Sequence, residues 1–519
     1  MKTIKKSIII LCCLFGLYAC DSFLDVTPPS EYTDKNFYKT PTDFKTAITG
    51  VYAQLQNIFG KGSTGYMNAV IYRGDETRQS ANVNRFIDGS TEAVWKDSWT
   101  TLWNIIYRCN KILDRIDAVE FPNSKDKENI KGEALAIRGY TYLQLAWCWG
   151  GMPIITTELS LAETLKVPRS TQEATYAQAE SDLKDAFELL PENWDASNIG
   201  RVTKYAAAGV LGRLYMYTHN YEQAEVYLSE VIAKENTLYV VEKNYEDCFD
   251  DAKNNSKERV WEVQYLGGNS TNQALGISQQ FSSWFIPSSL NIRSDGPLMN
   301  GVTFTGASNS VRVSQSLSAD GVYEENDKRR AATIVNGLKL GNSNPDYEAY
   351  FCKKFLKATA NPPAAIDMWS NNLPILRYTD VKLMYAEALN EINYGANITT
   401  KILPIINEVR TKHGGLPELT KDDLPNQEAV FEYLVRERFV EFCFEGLRWP
   451  DLIRWGKANK SINPQKAMEK HFAIPDEGFD ATTGTAMYKM KPHNVLAPIP
   501  YSEIVSYNNK SIMWQNDGY

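Results

Sequence analysis

The stretch Glu437–Lys457, ERFVEFCFEGLRWPDLIRWGK, decides how the rest of the chain is organised. Its first half carries Phe439, Val440, Phe442, Cys443, Phe444 and Leu447, with glutamates at 437, 441 and 445. Residues four apart share one helix face, so the glutamates form a single polar stripe and apolar side chains cover most of the remaining surface. Such a helix is predicted to be buried on nearly every side except that stripe. Gly446 can end it, because glycine adopts the left-handed C-cap conformation at no steric cost. Pro450 suits the first turn of a second short helix, and Asp451 suits its positive end. Arg454 and Gly456 close that helix, while Trp449 and Trp455 bring enough apolar area to pin it to a larger body.

Residues Glu445, Gly446, Arg448, Trp449, Asp451, Leu452, Arg454 and Trp455 spell E-G-x-R-W-x-D-L-x-R-W. This pattern resembles the C-terminal signature of the SusD/RagB family. The resemblance implies a surface lipoprotein that captures glycans without cleaving them and docks on a SusC-like, TonB-dependent transporter. It further implies a stack of tetratricopeptide-like helical pairs as scaffold, with loops near the N-terminal helices and a large insertion as the sugar-binding face.

The chain start agrees with export. Lys2, Lys5 and Lys6 precede an apolar run from Ser7 to Gly16, too short for a permanent membrane span. Leu17-Tyr18-Ala19-Cys20 resembles a bacterial lipobox, which makes residues 1–19 a lipoprotein signal peptide and Cys20 the lipidated residue. An ordinary export signal cut near Ala19 is the plainer alternative. Two or more acyl chains on Cys20 would hold the protein stably at a membrane, here the outer membrane with the domain facing outward. Losing the three lysines takes the net charge from −8 to about −11, which argues against nucleic acid as partner. Beyond Cys20, the cysteines at 109, 148, 248, 352 and 443 are odd in number and lack paired spacing, so a disulfide framework is not expected.

Residues 20–40 read as an extended tether with Pro28-Pro29, and 41–519 as one domain of mainly α class. Helical periodicity marks segments at 41–58, 95–118 and 126–149, with apolar residues at three- and four-residue steps, and a further helix spans about 171–190 and stops at Pro191. Leu211-Gly212-Arg213-Leu214-Tyr215 followed by Tyr221-Glu222-Gln223-Ala224 matches the marks of a tetratricopeptide repeat. Further helices are expected at 379–393, 398–412 and 426–445. The scaffold thus occupies mainly 41–234 and 373–457. Residues 60–94 lose the helical period. An Asn-, Ser- and Gly-rich insertion at about 235–372 reads as loops with short strands, and 458–519 as irregular.

Catalytic patterns are scarce: the four histidines are scattered, and no nucleophile elbow, Walker loop or HExxH spacing is present. No cofactor or metal is expected. Asp250-Asp251 and Glu324-Glu325 could hold calcium weakly but read better as solvated charge. A sugar ring offers an apolar face and a hydroxyl rim, which suit an aromatic platform flanked by carboxylates or arginine donors. Asp75, Arg78, Trp95, Trp284 and Trp369 are therefore the candidate ligand residues, although packing is the commoner fate of any one tryptophan. Two rivals remain: a scaffold that binds a protein or peptide, and a lipid-anchored glycoside hydrolase, for which two carboxylates suffice.

Overall fold

The protein is seen in a computed structural model that describes residues 37–59, 65–78, 81–286, 311–335, 338–340, 344–347, 350–475, 477–480 and 482–519. The expected signal segment and Cys20 lie outside these residues, as does most of the tether. Helix α1 (Pro41–Phe59) buries Phe44, Ile48, Val51, Leu55 and Ile58, the series read from the sequence. Helix α2 (Tyr66–Arg73) departs from the expected aperiodic stretch. All eight of its residues are buried, so no polar face marks it in the sequence.

Helices α3 (Ala93–Arg115), α4 (Ser124–Trp149) and α5 (Gln172–Leu189) follow. Arg138 of α4 ties the three together, gripping Asp182 of α5 at 2.7 and 2.8 Å and donating to Asn110 of α3 at 2.8 Å. The tetratricopeptide-like pair is α6 (Lys204–Tyr217) and α7 (Tyr221–Ile232). A Cβ on Gly212 would lie 2.4 Å from Leu228, so glycine permits the close approach of these two helices. Tyr215 fills the adjoining space, stacked on Tyr227 with centroids 5.7 Å apart.

Helix α8 (Tyr378–Asn397) packs on α7 and breaks its helical dihedrals at Asn393. Helix α9 (Leu403–Val409) leads into a wider turn at Arg410–Gly414; α10 (Gln427–Glu441) and α11 (Arg448–Lys457) form the corner. Side chains close several N-termini: Thr171, Thr203, Asn220 and Asn426 each accept the backbone N–H three residues on. Residues 458–519, expected to be irregular, contain two short helices, α12 (Pro464–Phe472) and α13 (Tyr501–Tyr507), and a small antiparallel ladder pairing Phe479–Asp480 with Thr485–Ala486.

The insertion contributes strands. Strands β1 (Thr77–Arg78), β3 (Arg312–Val313), β5 (Phe351–Cys352) and β4 (Ile334–Val335) pair in the order β1-β3-β5-β4, and β2 (Arg259–Val263) pairs with β6 (Leu373–Arg377). A loop between two N-terminal helices is thereby stitched to the insertion more than 200 residues later, with Thr77 opposite Val313 and Arg78 opposite Arg312.

Two expectations fail at the corner. Helix α10 ends at Glu441 rather than 445, and the chain turns through left-handed Phe444 (φ 64°) and Gly446 (φ 73°). The glutamate stripe is also not solvated: Glu437, Glu441 and Glu445 are buried. Cations from distant segments neutralise it. Arg329 reaches Glu437 at 2.6 Å, Arg377 meets Glu441 at 3.0 Å and Glu445 at 2.8 Å, and Lys354 meets Glu445 at 2.7 Å. Asp250 and Asp251 are likewise buried, holding Thr359, Ala360 and Asn361 in place.

Candidate functional site

The signature residues form an ionic frame. Arg454 grips Glu387 of α8 at 2.5 and 2.8 Å, and the Trp455 indole donates to the same carboxylate at 2.8 Å. Asp451 sits between Arg438 (2.7 Å) and Arg454 (2.8 Å). His219, in the α6–α7 turn, lies 2.7 Å from the Arg454 carbonyl and couples the repeat to the corner. Trp449 is buried beside Phe86, with ring centroids 5.6 Å apart.

Arg448 reaches out of the frame to Asp75, with parallel bonds of 2.7 and 2.8 Å, and lies over the Phe439 ring at 4.0 Å. Burial would raise the Asp75 pKa, but the Arg448 guanidinium overrides it and holds the carboxyl below its usual range. Next to it, Glu76 is pushed up to about 8 by burial, with the Phe444 N–H donating to it at 3.0 Å. Asp75, expected to meet a ligand, is instead held by Arg448 and, with Glu76, roots its loop in the corner.

The expected tryptophans are placed no closer to solvent. Trp95 is 1 % exposed, donates to Asp88 at 2.7 Å and lies under the Arg73 guanidinium. Trp284 is 1 % exposed and stacks on Tyr72 at 6.0 Å. Trp369 is fully buried, and its indole donates to the Ile366 carbonyl at 2.8 Å. None of the three presents a ring face to solvent in this arrangement, because neighbouring aromatic and backbone groups cover them.

Arg78 is half-buried at the edge of the β1-β3-β5-β4 sheet. It is close enough to His471 to act on its titration, which burial drives down to about 4. Beside His471, Phe472 packs between Phe86 and Tyr488, and the Arg85 guanidinium lies over the Tyr488 ring at 5.1 Å. Arg85 and Tyr488, both partly exposed, thus set a donor beside an aromatic plane, and Arg78 is partly exposed at the neighbouring sheet edge. Sequence reasoning missed Arg85 and Tyr488, which lie about 400 residues apart and carry no local pattern.

A second aromatic cleft of about 400 Å³ opens between α3 and α13, lined by Trp103, Asn104, Tyr107, Thr157, Glu503 and Tyr507. Its Trp103 indole N–H has no partner among the described residues. Among the described residues no helix is long and apolar enough to cross a membrane.

Stacked helical pairs carrying a face stitched together by an insertion define a tetratricopeptide-like binding scaffold. Two family models account for most of the chain: the SusD family over residues 288–519, and "starch-binding associating with outer membrane", a SusD-like model, over 22–216. The chain belongs to the SusD/RagB family. It is 26% identical over 538 residues to a SusD-like protein of Formosa agariphila, covering 96% of each chain. A SusD homologue from Bacteroides thetaiotaomicron superposes with a TM-score of 0.75 at 21% identity, over 94% of this chain and 99% of the other. Surface glycan-binding protein A of the same organism, solved with laminarihexaose, gives 0.72 at 20% identity, over 92% and 100%.

Proposed function

We propose that the protein is a glycan-capture subunit that binds an oligosaccharide without cleaving it and passes it to a SusC-like, TonB-dependent transporter. Lipid on Cys20 holds it at the outer membrane, facing the cell exterior. The starch-binding description of one matched model and the laminarihexaose complex of a structural neighbour support sugar as the cargo. The observation that carries the site is the pairing of β1 with β3. It joins the loop near the N-terminal helices to the insertion, the two regions from which the family resemblance draws the ligand face.

On this reading, Arg78 and Arg85 donate to sugar hydroxyls and Tyr488 stacks on an apolar ring face. Asp75 anchors the loop that leads to Arg78, and Trp95, Trp284 and Trp369 are buried packing residues. The test is a glycan array with the chain starting after Cys20, then calorimetry with laminarihexaose or whichever glycan scores best. Arg78→Ala, Arg85→Ala and Tyr488→Ala should each weaken binding about tenfold, or about 1.4 kcal/mol, at unchanged melting temperature. Trp103→Ala and Tyr107→Ala, in the second cleft, should leave affinity intact. Parental binding in all three face variants would refute the face, and release of reducing ends would refute capture without cleavage. Palmitate labelling that survives Cys20→Ala would remove the anchor, and failure to co-purify a TonB-dependent transporter would remove the partner.

A further inference from the structure

Beneath the corner, three side chains capable of metal ligation face one another: Cys248, Glu258 and His413, all buried, with ligand atoms within 4.8 Å of one another. They come from a 3-10 turn (Tyr245–Phe249), the residue preceding β2, and the wide turn after α9. The Cys248 Sγ lies 3.8 Å from His413 Nε2. A tetrahedral Zn²⁺ with bonds of about 2.0–2.3 Å sets its ligand atoms about 3.3–3.5 Å apart, so the trio needs to close by only about an ångström.

We propose that this trio is a three-ligand binding site for a divalent transition cation of the zinc class, with a water completing the tetrahedron. The groups that would orient these ligands are already in place. His413 Nδ1 lies 2.9 Å from Glu441 Oε1, the carboxylate–imidazole arrangement that turns Nε2 toward a metal with its lone pair free. Glu258 is oriented by the Thr379 hydroxyl at 2.5 Å and by Arg377 at 3.1 Å on Oε1, while Oε2 accepts the Glu242 N–H at 3.1 Å. Thiolate and imidazole are the soft and borderline donors that select zinc over calcium or magnesium, and zinc accepts a single carboxylate beside them. Binding releases two protons to solvent, one from the Cys248 thiol and one from Nε2 of the His413 imidazolium; thiolate and Glu258 carboxylate then neutralise the cation. The nearby Arg377 charge is offset separately by Glu441 and Glu445.

The rival state is metal-free. There His413 is an imidazolium, since Glu441 outweighs the opposing effect of burial and holds its pKa well above the usual value, and Cys248 remains a thiol raised by burial. Burial of all three ligands means that the ion enters as the chain folds and leaves slowly.

The test uses untagged chain starting after Cys20, refolded with one equivalent of zinc or cobalt, dialysed and assayed by elemental analysis. About one zinc per chain is expected, resistant to brief chelation, with a thiolate-to-cobalt charge-transfer band in the cobalt form. Cys248→Ser should lose the band and most of the metal while keeping its near-ultraviolet circular dichroism. Cys352→Ser, a buried cysteine outside the cluster, should keep both. Should Cys248→Ser not fold, His413→Gln provides the second variant and the same reading. Wild-type protein without bound metal, or equal metal in the Cys248 and Cys352 variants, would overturn the proposal. So would an imidazolium resonance for His413 after zinc refolding.

Discussion

The corner at Arg448–Trp455 and the face bearing Arg78, Arg85 and Tyr488 meet at the loop beginning with Asp75, yet they use arginine in opposite ways. In the corner, Arg377, Arg438, Arg448 and Arg454 are buried, each held by carboxylates. Their planar forks fix the angle between helices, because two parallel bonds tolerate little rotation. On the face, Arg85 is partly exposed and rests on a ring instead of a carboxylate. The corner therefore sets positions, and the face keeps donors available. Buried ion pairs stabilise little compared with apolar replacements, but losing one partner is costly.

That contrast can be broken in order of expected effect. Arg377→Met strands Glu258, Glu441 and Glu445 and should cost about 3–5 kcal/mol in urea unfolding. Arg85→Ala should stay within about 0.5 kcal/mol. Equal losses in the two would end the distinction between frame and face. Trp284→Ala should cost about 3–5 kcal/mol, as expected for a buried ring. If it instead spares stability and abolishes glycan binding, the ring is a ligand platform after all.

Gly446→Ala should cost about 2–3 kcal/mol, because φ is 73° and the new Cβ would sit 2.2 Å from Met67 Cε. A double-mutant cycle with Met67→Ala separates the contact from the backbone strain. Glu76→Gln should stabilise. The folded Glu76 titrates near 8 instead of 4.5, so the native state keeps a proton that the unfolded chain releases. Native stability thus falls as pH rises from 4.5 to 8 and levels off above. The glutamine variant loses that slope and gains about 1–3 kcal/mol at pH 8 but almost nothing at pH 4.5. Equal gains at both pH values would mean that Glu76 is not a buried, protonated acid.

Much of the scaffold was legible because helix packing repeats locally: the apolar steps of α1 and α3, and Gly212 with Ala224 between α6 and α7, carry their meaning within a few residues. Helix α2 was not legible, since burial on every side erases the period. The tryptophans misled for a related reason. Ser282, Ser283 and their neighbours suggest surface, yet Tyr72, more than 200 residues earlier, covers Trp284. The glutamates read as a polar surface stripe, yet the cations that bury them, Arg329, Lys354 and Arg377, arrive from the insertion and its far edge.

By itself, the sequence determined the helical pairs, the place of the corner and the family, since these depend on spacing along one chain. Tertiary structure alone decided which charges are buried, which aromatic rings stay open and which ligating atoms face one another. Charge neutralisation and ring burial depend on separations of a few ångströms, and residues hundreds of positions apart acquire those only when the core closes.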